Sequence, residues 1–316
     1  MTRSLLFLAL SFTTLLASCS SDNPHDEHGD HDLAASRFSK QSEKLKLAGD
    51  KVEVDFFLPK TSRPAPLVVV AHGFARSRKN FEGWGQRLAR AGYFAAIPDL
   101  PSHTDHRQNG HAIDDLIQLL STNPPEKLRN AEIETGRVAV VGHSAGGLAT
   151  LLAASDNRHI VLWVGLDPVD SGDIGVKAAD DRTFTSLVLL AEPSRCNQRQ
   201  NISGLEKHLR GPWLIAKVDG AHHCDPEDPT DKWCTFTCGG SYSARSHNIF
   251  LRHTLDALDA VLRDDPAATD RLNNLQKDKN LKEIRGPGMP AARPSDRAAR
   301  ANQYINLAAP LAERVH

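Results

Sequence analysis

The chain has no excess of charge of either sign. Lys and Arg number 38 against 39 Asp and Glu, a formal net charge of −1 over 316 residues, so no charge imbalance points to nucleic acid or to a strongly acidic substrate. It also lacks a comfortable membrane span. The apolar stretch near the start, Leu5–Leu10 and then Leu15–Ala17, falls short of the roughly 20 residues a spanning helix needs. There is no paired C-x-x-C, the arrangement that would favour a zinc site, and no internal repeat. Between the regular elements there is no long helical insert of the kind a strict lipase uses as a lid. What remains is an ordinary globular composition, 40% apolar and 24% charged, which excludes a disordered chain.

The first residues read as an export signal: Arg3, then the short apolar region, then Leu16-Ala17-Ser18-Cys19. That tetrapeptide resembles the bacterial lipobox, in which the signal is cut before a cysteine that is then acylated. The expectation is a lipoprotein signal over residues 1–18 and a mature chain held on a membrane through Cys19. Ser20 in the next position implies, by the same resemblance, sorting to an outer membrane, facing periplasm or exterior. An ordinary cleaved signal with a chance cysteine is the alternative. Residues 19–40 read as a polar tether. Its His25, His28 and His31 stand among carboxylates and could collect metal ions. Export makes the even set Cys196, Cys224, Cys234 and Cys238 two expected disulfides, with three connectivities open.

From Lys51 onward strand and helix patterns alternate. Val52, Val54 and Phe56 have period two; Leu67–Ala71, Tyr93–Ile97, Val138–Val141, Val161–Leu166, Ser186–Ala191 and Trp213–Val218 are continuous apolar runs. Such runs suit parallel strands buried on both faces. Helical spacing joins Phe81, Trp84, Leu88 and Ala91, then Ile113, Leu116, Ile117 and Leu120, and finally Leu251, Leu255, Leu258 and Leu262. The alternation predicts an α/β fold with a mostly parallel central sheet and helices on both faces. One domain is expected over residues 41–264. Residues 265–316 read as a peripheral polar tail, with an excess of basic residues that could touch an anionic surface.

The chemistry centres on Gly142-His143-Ser144-Ala145-Gly146-Gly147. Small residues two before and two after a serine, with a buried strand ahead and a helix behind, form a nucleophile elbow. A serine hydroxyl needs a base, and the base needs an orienting acid. In this architecture both follow strand ends, in the order Ser, acid, His. For the base the candidates are His222 and His223, with His223 preferred. Those for the acid are Asp167, in Leu166-Asp167-Pro168-Val169-Asp170, then Glu192 after the next strand, then Asp170. The amides of Ala145 and of Phe74, in His72-Gly73-Phe74, are placed to hold an oxyanion.

These residues resemble the serine α/β-hydrolase superfamily, and within it chlorophyllase-like and bacterial polyester-hydrolase-like esterases. Chlorophyllases have a similar His-Gly-Phe, a similar Gly-His-Ser-x-Gly-Gly elbow and an Asp-Pro-Val-Asp segment carrying the acid, which favours Asp167 here. The resemblance implies the α/β-hydrolase fold and a serine carboxylic ester hydrolase acting on a small or hydrophobic ester, without metal or organic cofactor. Acyltransferases and lipases use the same constellation. A non-catalytic surface lipoprotein on the same fold, or a metal scavenger working through the histidine tether, are the rival classes. Ala145 departs from chlorophyllases, which have Arg after the serine.

Overall fold

In the computed structural model, which describes residues 38–290, nine strands form a single sheet. Cys19, the His25, His28 and His31 segment, and residues 291–316 lie outside the described residues. In chain order the elements are β1 (Phe38–Leu47), β2 (Asp50–Pro59), β3 (Ala65–Ala71), α1 (Glu82–Arg90), β4 (Phe94–Pro98), α2 (His106–Thr122), β5 (Ile133–His143) and α3 (Ala145–Asp156). There follow β6 (Ile160–Leu166), α4 (Ile174–Ala178), β7 (Thr185–Leu190), β8 (Trp213–Val218), α5 (Lys232–Cys238), α6 (Ala244–Leu262), α7 (Pro266–Asn273) and β9 (Leu281–Arg285). The strands lie in the order β1-β2-β4-β3-β5-β6-β7-β8-β9. The centre, from β4 to β8, is parallel. β1, β2 and β9 add antiparallel edges.

The apolar runs behave as doubly buried strands because successive side chains point to opposite faces. On one face Val68, Val70, Ala139, Val141, Leu162 and Val164 meet Trp84 and Leu88 of α1 and Phe250 and Leu258 of α6. On the other, Leu67, Val69, Val138, Val140 and Trp163 meet Ile113 and Leu116 of α2 and Leu151 of α3. Helix α3 is apolar all round and buried from Ala145 to Ser155, as expected of a helix wedged between a sheet and a second helix. Caps fix the helix starts: Asp105 accepts from the Gln108 amide at α2, and Ser243 from the Ser246 amide at α6.

Two boundaries differ from the sequence reading. The tether was expected to run to residue 40, yet β1 begins at Phe38 and pairs along its whole length with β2. Only Phe38, Ser39 and Lys40 of β1 fall in the expected tether, and Lys40, Glu43, Lys44 and Lys46 leave the strand little apolar pattern to read; charged side chains are what an exposed sheet edge needs to resist pairing with another chain. A tight turn at Ala48 and Gly49, both with positive φ (45° and 88°), joins the two strands. The second correction concerns the tail. Residues 265–290 are part of the domain. Asp265 caps α7, Ala268, Leu272, Leu275, Leu281 and Met289 enter the same core as α6, and β9 pairs with β8, Leu281 opposite Val218. A short helix and a short edge strand expose most of their residues, so a few well-spaced apolar side chains carry the burial and leave almost no periodicity to read.

Candidate active site

At the end of β5 the chain turns sharply into α3 through Ser144, whose φ of 54° and ψ of −123° lie outside the ordinary regions for a side-chain-bearing residue. Such a conformation costs about 1–3 kcal/mol and persists only where the surroundings impose it. Here close approach imposes it. A Cβ on Gly142 would sit 2.3 Å from the Gly146 carbonyl oxygen, and one on Gly146 would sit 2.3 Å from that of His72. Only glycine lets strand, helix and the loop after β3 converge on the serine.

His223, in the loop after β8, lies between Ser144 and Asp167. Its Nδ1 is 2.6 Å from Asp167 Oδ2, and its Nε2 is 2.9 Å from Ser144 Oγ. The carboxylate accepts only, so the imidazole proton sits on Nδ1 and Nε2 is free to accept from the hydroxyl. Asp167 follows β6 with φ of 44° and is fully buried. Its Oδ1 accepts from the Ala191 amide at 2.9 Å. Of the other acid candidates, Glu192 points to Lys217 (3.6 Å) and the Gly220 amide (3.3 Å). Asp170 turns to the backbone instead, accepting from the amides of Ser171, Gly175 and Val176. The His222 ring packs against Gly240, where an added Cβ would meet it at 2.4 Å. None of these three joins the Ser144–His223–Asp167 chain.

The Phe74 segment is oriented by His72. Leu100 donates its amide to His72 Nε2 and His72 Nδ1 donates to the Gly73 carbonyl, both at 2.9 Å. Burial holds the His72 imidazole below its ordinary pKa, consistent with this neutral tautomer. The amides of Phe74 and Ala145 stay outside the backbone hydrogen bonds of the described residues. His143 contributes a feature that the sequence reading passed over. Burial, reinforced by the facing His223 ring at 4.7 Å, keeps its imidazole well below the ordinary range. Neutral, it donates from Nε2 to the His223 carbonyl oxygen at 2.7 Å and so fixes the backbone that carries His223.

A cavity of about 320 Å³ opens onto Ser144 and His223, lined also by Phe74, Arg76, Glu227 and Trp233. Phe74 and Trp233, 59% and 66% exposed, give the cavity mouth an apolar rim. Arg76 spans the wall: its Nε and Nη2 each lie 2.7 Å from a different Glu227 carboxylate oxygen, and Nη2 also meets Asp231 at 2.9 Å. Burial pushes the Glu227 carboxyl up from its ordinary pKa, and the two-pronged guanidinium opposes that shift. The seven-residue helix α5 borders the cavity.

Disulfides Cys196–Cys238 and Cys224–Cys234 pin that helix. They settle the open connectivity and consume all four sulfurs, leaving no thiolate among them to ligate zinc. Their sequence separations of 42 and 10 residues correspond to about 4 and 3 kcal/mol of loop-closure entropy. Reduction is therefore expected to lower the thermal midpoint by several degrees; thermal melts with and without dithiothreitol would show it, and an unchanged midpoint would refute it.

A strained serine between a parallel strand and a buried helix, at the carboxyl edge of a mostly parallel sheet, defines a hydrolase type of α/β architecture. The model of the alpha/beta hydrolase family matches residues 68–301, and the chain belongs to that family. A segment of 137 residues is also 23% identical to Cutinase est2 of Thermobifida alba, covering 43% of this chain and 44% of that protein. The chain thus aligns with less than half the length of this curated relative. Two disulfides and a cutinase relative are consistent with an exported protein. Among the described residues no helix is long and apolar enough to cross a membrane.

Proposed function

We propose that this protein is an exported serine esterase that cleaves carboxylic esters with an apolar portion, and that Cys19 anchors it by acyl chains after removal of residues 1–18. The observation that carries the enzymatic reading is the unbroken hydrogen-bond chain from Ser144 Oγ through His223 to Asp167, opening on a cavity rimmed by Phe74 and Trp233. Ser144 Oγ attacks the ester carbonyl carbon while His223 Nε2 takes its proton, and Asp167 stabilises the resulting imidazolium. The carbonyl oxygen becomes an oxyanion held by the Phe74 and Ala145 amides. Collapse expels the alcohol, which receives the proton from His223. Water, deprotonated by the same imidazole, then releases the acid and restores Ser144.

The apolar rim supports a hydrophobic ester, and the name of the T. alba relative accords with ester hydrolysis. The test is stoichiometric labelling by a fluorophosphonate probe together with turnover of p-nitrophenyl acetate through palmitate. Wild type is expected to label and to turn over esters, and Ser144→Ala to do neither. A folded wild type that does neither would sink the reading.

A further inference from the structure

Asn197 is fully buried and takes no part in the steps above. Its Nδ2 donates to Asp167 Oδ2 at 3.0 Å, with Oδ1 at 3.3 Å, and to the Glu192 carbonyl oxygen at 2.9 Å. Its Oδ1 accepts from the backbone amides of Ser194 at 2.8 Å and Gln200 at 3.3 Å. A carboxamide offers two N–H donors and one oxygen with two lone pairs, and here every one is used. The orientation is therefore unique: flipping the amide would set oxygen against a carboxylate and a carbonyl, and N–H against two N–H groups.

A second observation is independent of these contacts. The next three residues, Gln198, Arg199 and Gln200, have φ of 48°, 54° and 62°, a run of left-handed backbone without a glycine. Each such residue costs roughly 1–2 kcal/mol, and strain of this kind collects where a geometry is functionally required. The loop is also clipped from outside, because the preceding residue, Cys196, is bonded to Cys238 in the cavity wall. The fold thus accepts a costly loop that turns one amide side chain onto Asp167.

We infer that Asn197 is a positioning residue for the ester cleavage. It fixes the plane of the Asp167 carboxylate and supplies a donor to Oδ2, the oxygen that holds His223 Nδ1. Without it, the side-chain hydrogen bonds that hold the Asp167 carboxylate among the described residues, against a Cβ–Cγ torsion that is broad in carboxylates, are those of the Ala191 amide and of His223 itself. The inference rests on the reading of Asp167 as the acid that orients His223. Asn197 acts through that acid and touches no substrate.

The test uses the full chain and p-nitrophenyl butyrate, with kcat and KM followed from pH 6 to 9 for Asn197→Ala and Asn197→Ser. Both variants are expected to lower kcat about 10–100-fold, the scale known for partners that orient metal ligands, with KM within about twofold. Asn197→Ser shortens the side chain, which withdraws the donor from Asp167, and keeps a polar hydroxyl beside the loop amides. The groups facing His223 are Asp167, Ser144 and the neutral His143 ring, all unchanged. Without the donor, Asp167 Oδ2 is a stronger acceptor for the proton on His223 Nδ1 and favours the imidazolium. The acidic limb of kcat/KM should then move to higher pH, a shift that a purely structural role does not produce. If Asn197→Ala fails to fold, Asn197→Ser decides the matter. A folded variant with wild-type kcat and an unmoved acidic limb overturns the inference. Asp167→Asn measured alongside separates the two levels: if it retains full turnover the esterase reading of the acid has failed, whereas its loss beside a fully active Asn197→Ser removes the positioning role alone.

Discussion

Asp167→Asn is expected to lower kcat by roughly 10⁴-fold, the scale seen when an asparagine replaces the acid of a serine triad, with little change in KM. The reason lies in the proton on the imidazole. Asp167 presents only acceptors, and at 2.6 Å it holds the proton on His223 Nδ1. The frame around it is made of donors: the Ala191 amide at 2.9 Å and Asn197 Nδ2 at 3.0 Å. An asparagine must place its NH₂ against one of these donors or turn it toward His223. In the second arrangement Nδ1 becomes the acceptor and the imidazole proton moves to Nε2, where it opposes Ser144 Oγ and the base can no longer accept. Side-chain size is conserved, so the fold should survive and the thermal midpoint should stay near that of wild type. Glu192→Gln and His222→Ala touch neither end of the hydrogen-bond chain and are expected to leave kcat unchanged. Steady-state hydrolysis of p-nitrophenyl butyrate by the three variants decides the assignment. Loss of turnover in Glu192→Gln with retention in Asp167→Asn would move the acid to the end of β7.

The elbow was legible because its chemistry is local: the Gly142, Ser144 and Gly146 spacing is dictated by atoms a few residues apart, and the apolar run before it announces the strand. Strand ends then named a short set of acids and bases. Choosing within that set depends on where side chains point. Glu192 and Asp167 both follow strands in sequence, and only the turn after β6 carries its carboxylate to His223. Asn197 was invisible for a related reason. It sits in Asn197-Gln198-Arg199-Gln200-Asn201, a polar run that reads as any surface loop. Its partner Asp167 is 30 residues away in sequence, and the left-handed backbone after it leaves no glycine as a signal. His143 stood inside the motif, yet the carbonyl it holds belongs to His223, 80 residues further on. Disulfide pairing likewise awaited the placement of α5.

Deleting residues 265–316 is expected to abolish soluble, cooperatively folding protein, contrary to the appearance of this segment as an appendage. Leu272, Leu275, Leu281 and Met289 are nearly or fully buried in the core shared with α6. At about 1.5–3 kcal/mol for each large apolar side chain, their removal forfeits roughly 6–12 kcal/mol, comparable with the 5–15 kcal/mol that separates a folded domain from its unfolded chain. Polar ties go with them. Arg271 Nε lies 2.8 Å from Asp256 Oδ1, and His253 Nε2 lies 3.0 Å from Asp278 Oδ2. The hydrogen bond from His253, with the Arg252 guanidinium nearby, holds the Asp278 carboxyl far below the ordinary range. Loss of β9 also uncovers the hydrogen-bonding edge of β8, whose Leu214, Ile215, Ala216 and Val218 are apolar. An open apolar edge of that kind invites pairing between chains, so the truncated protein should appear in the insoluble fraction. A milder probe grades the same contribution: Leu272→Ala is expected to cost about 2–5 kcal/mol and to lower the urea midpoint of the full-length protein without altering KM. A truncated chain that unfolds cooperatively at the wild-type urea midpoint would return residues 265–290 to the periphery. The expected collapse would instead mark β9 as the strand that closes the sheet beside the loop carrying His223.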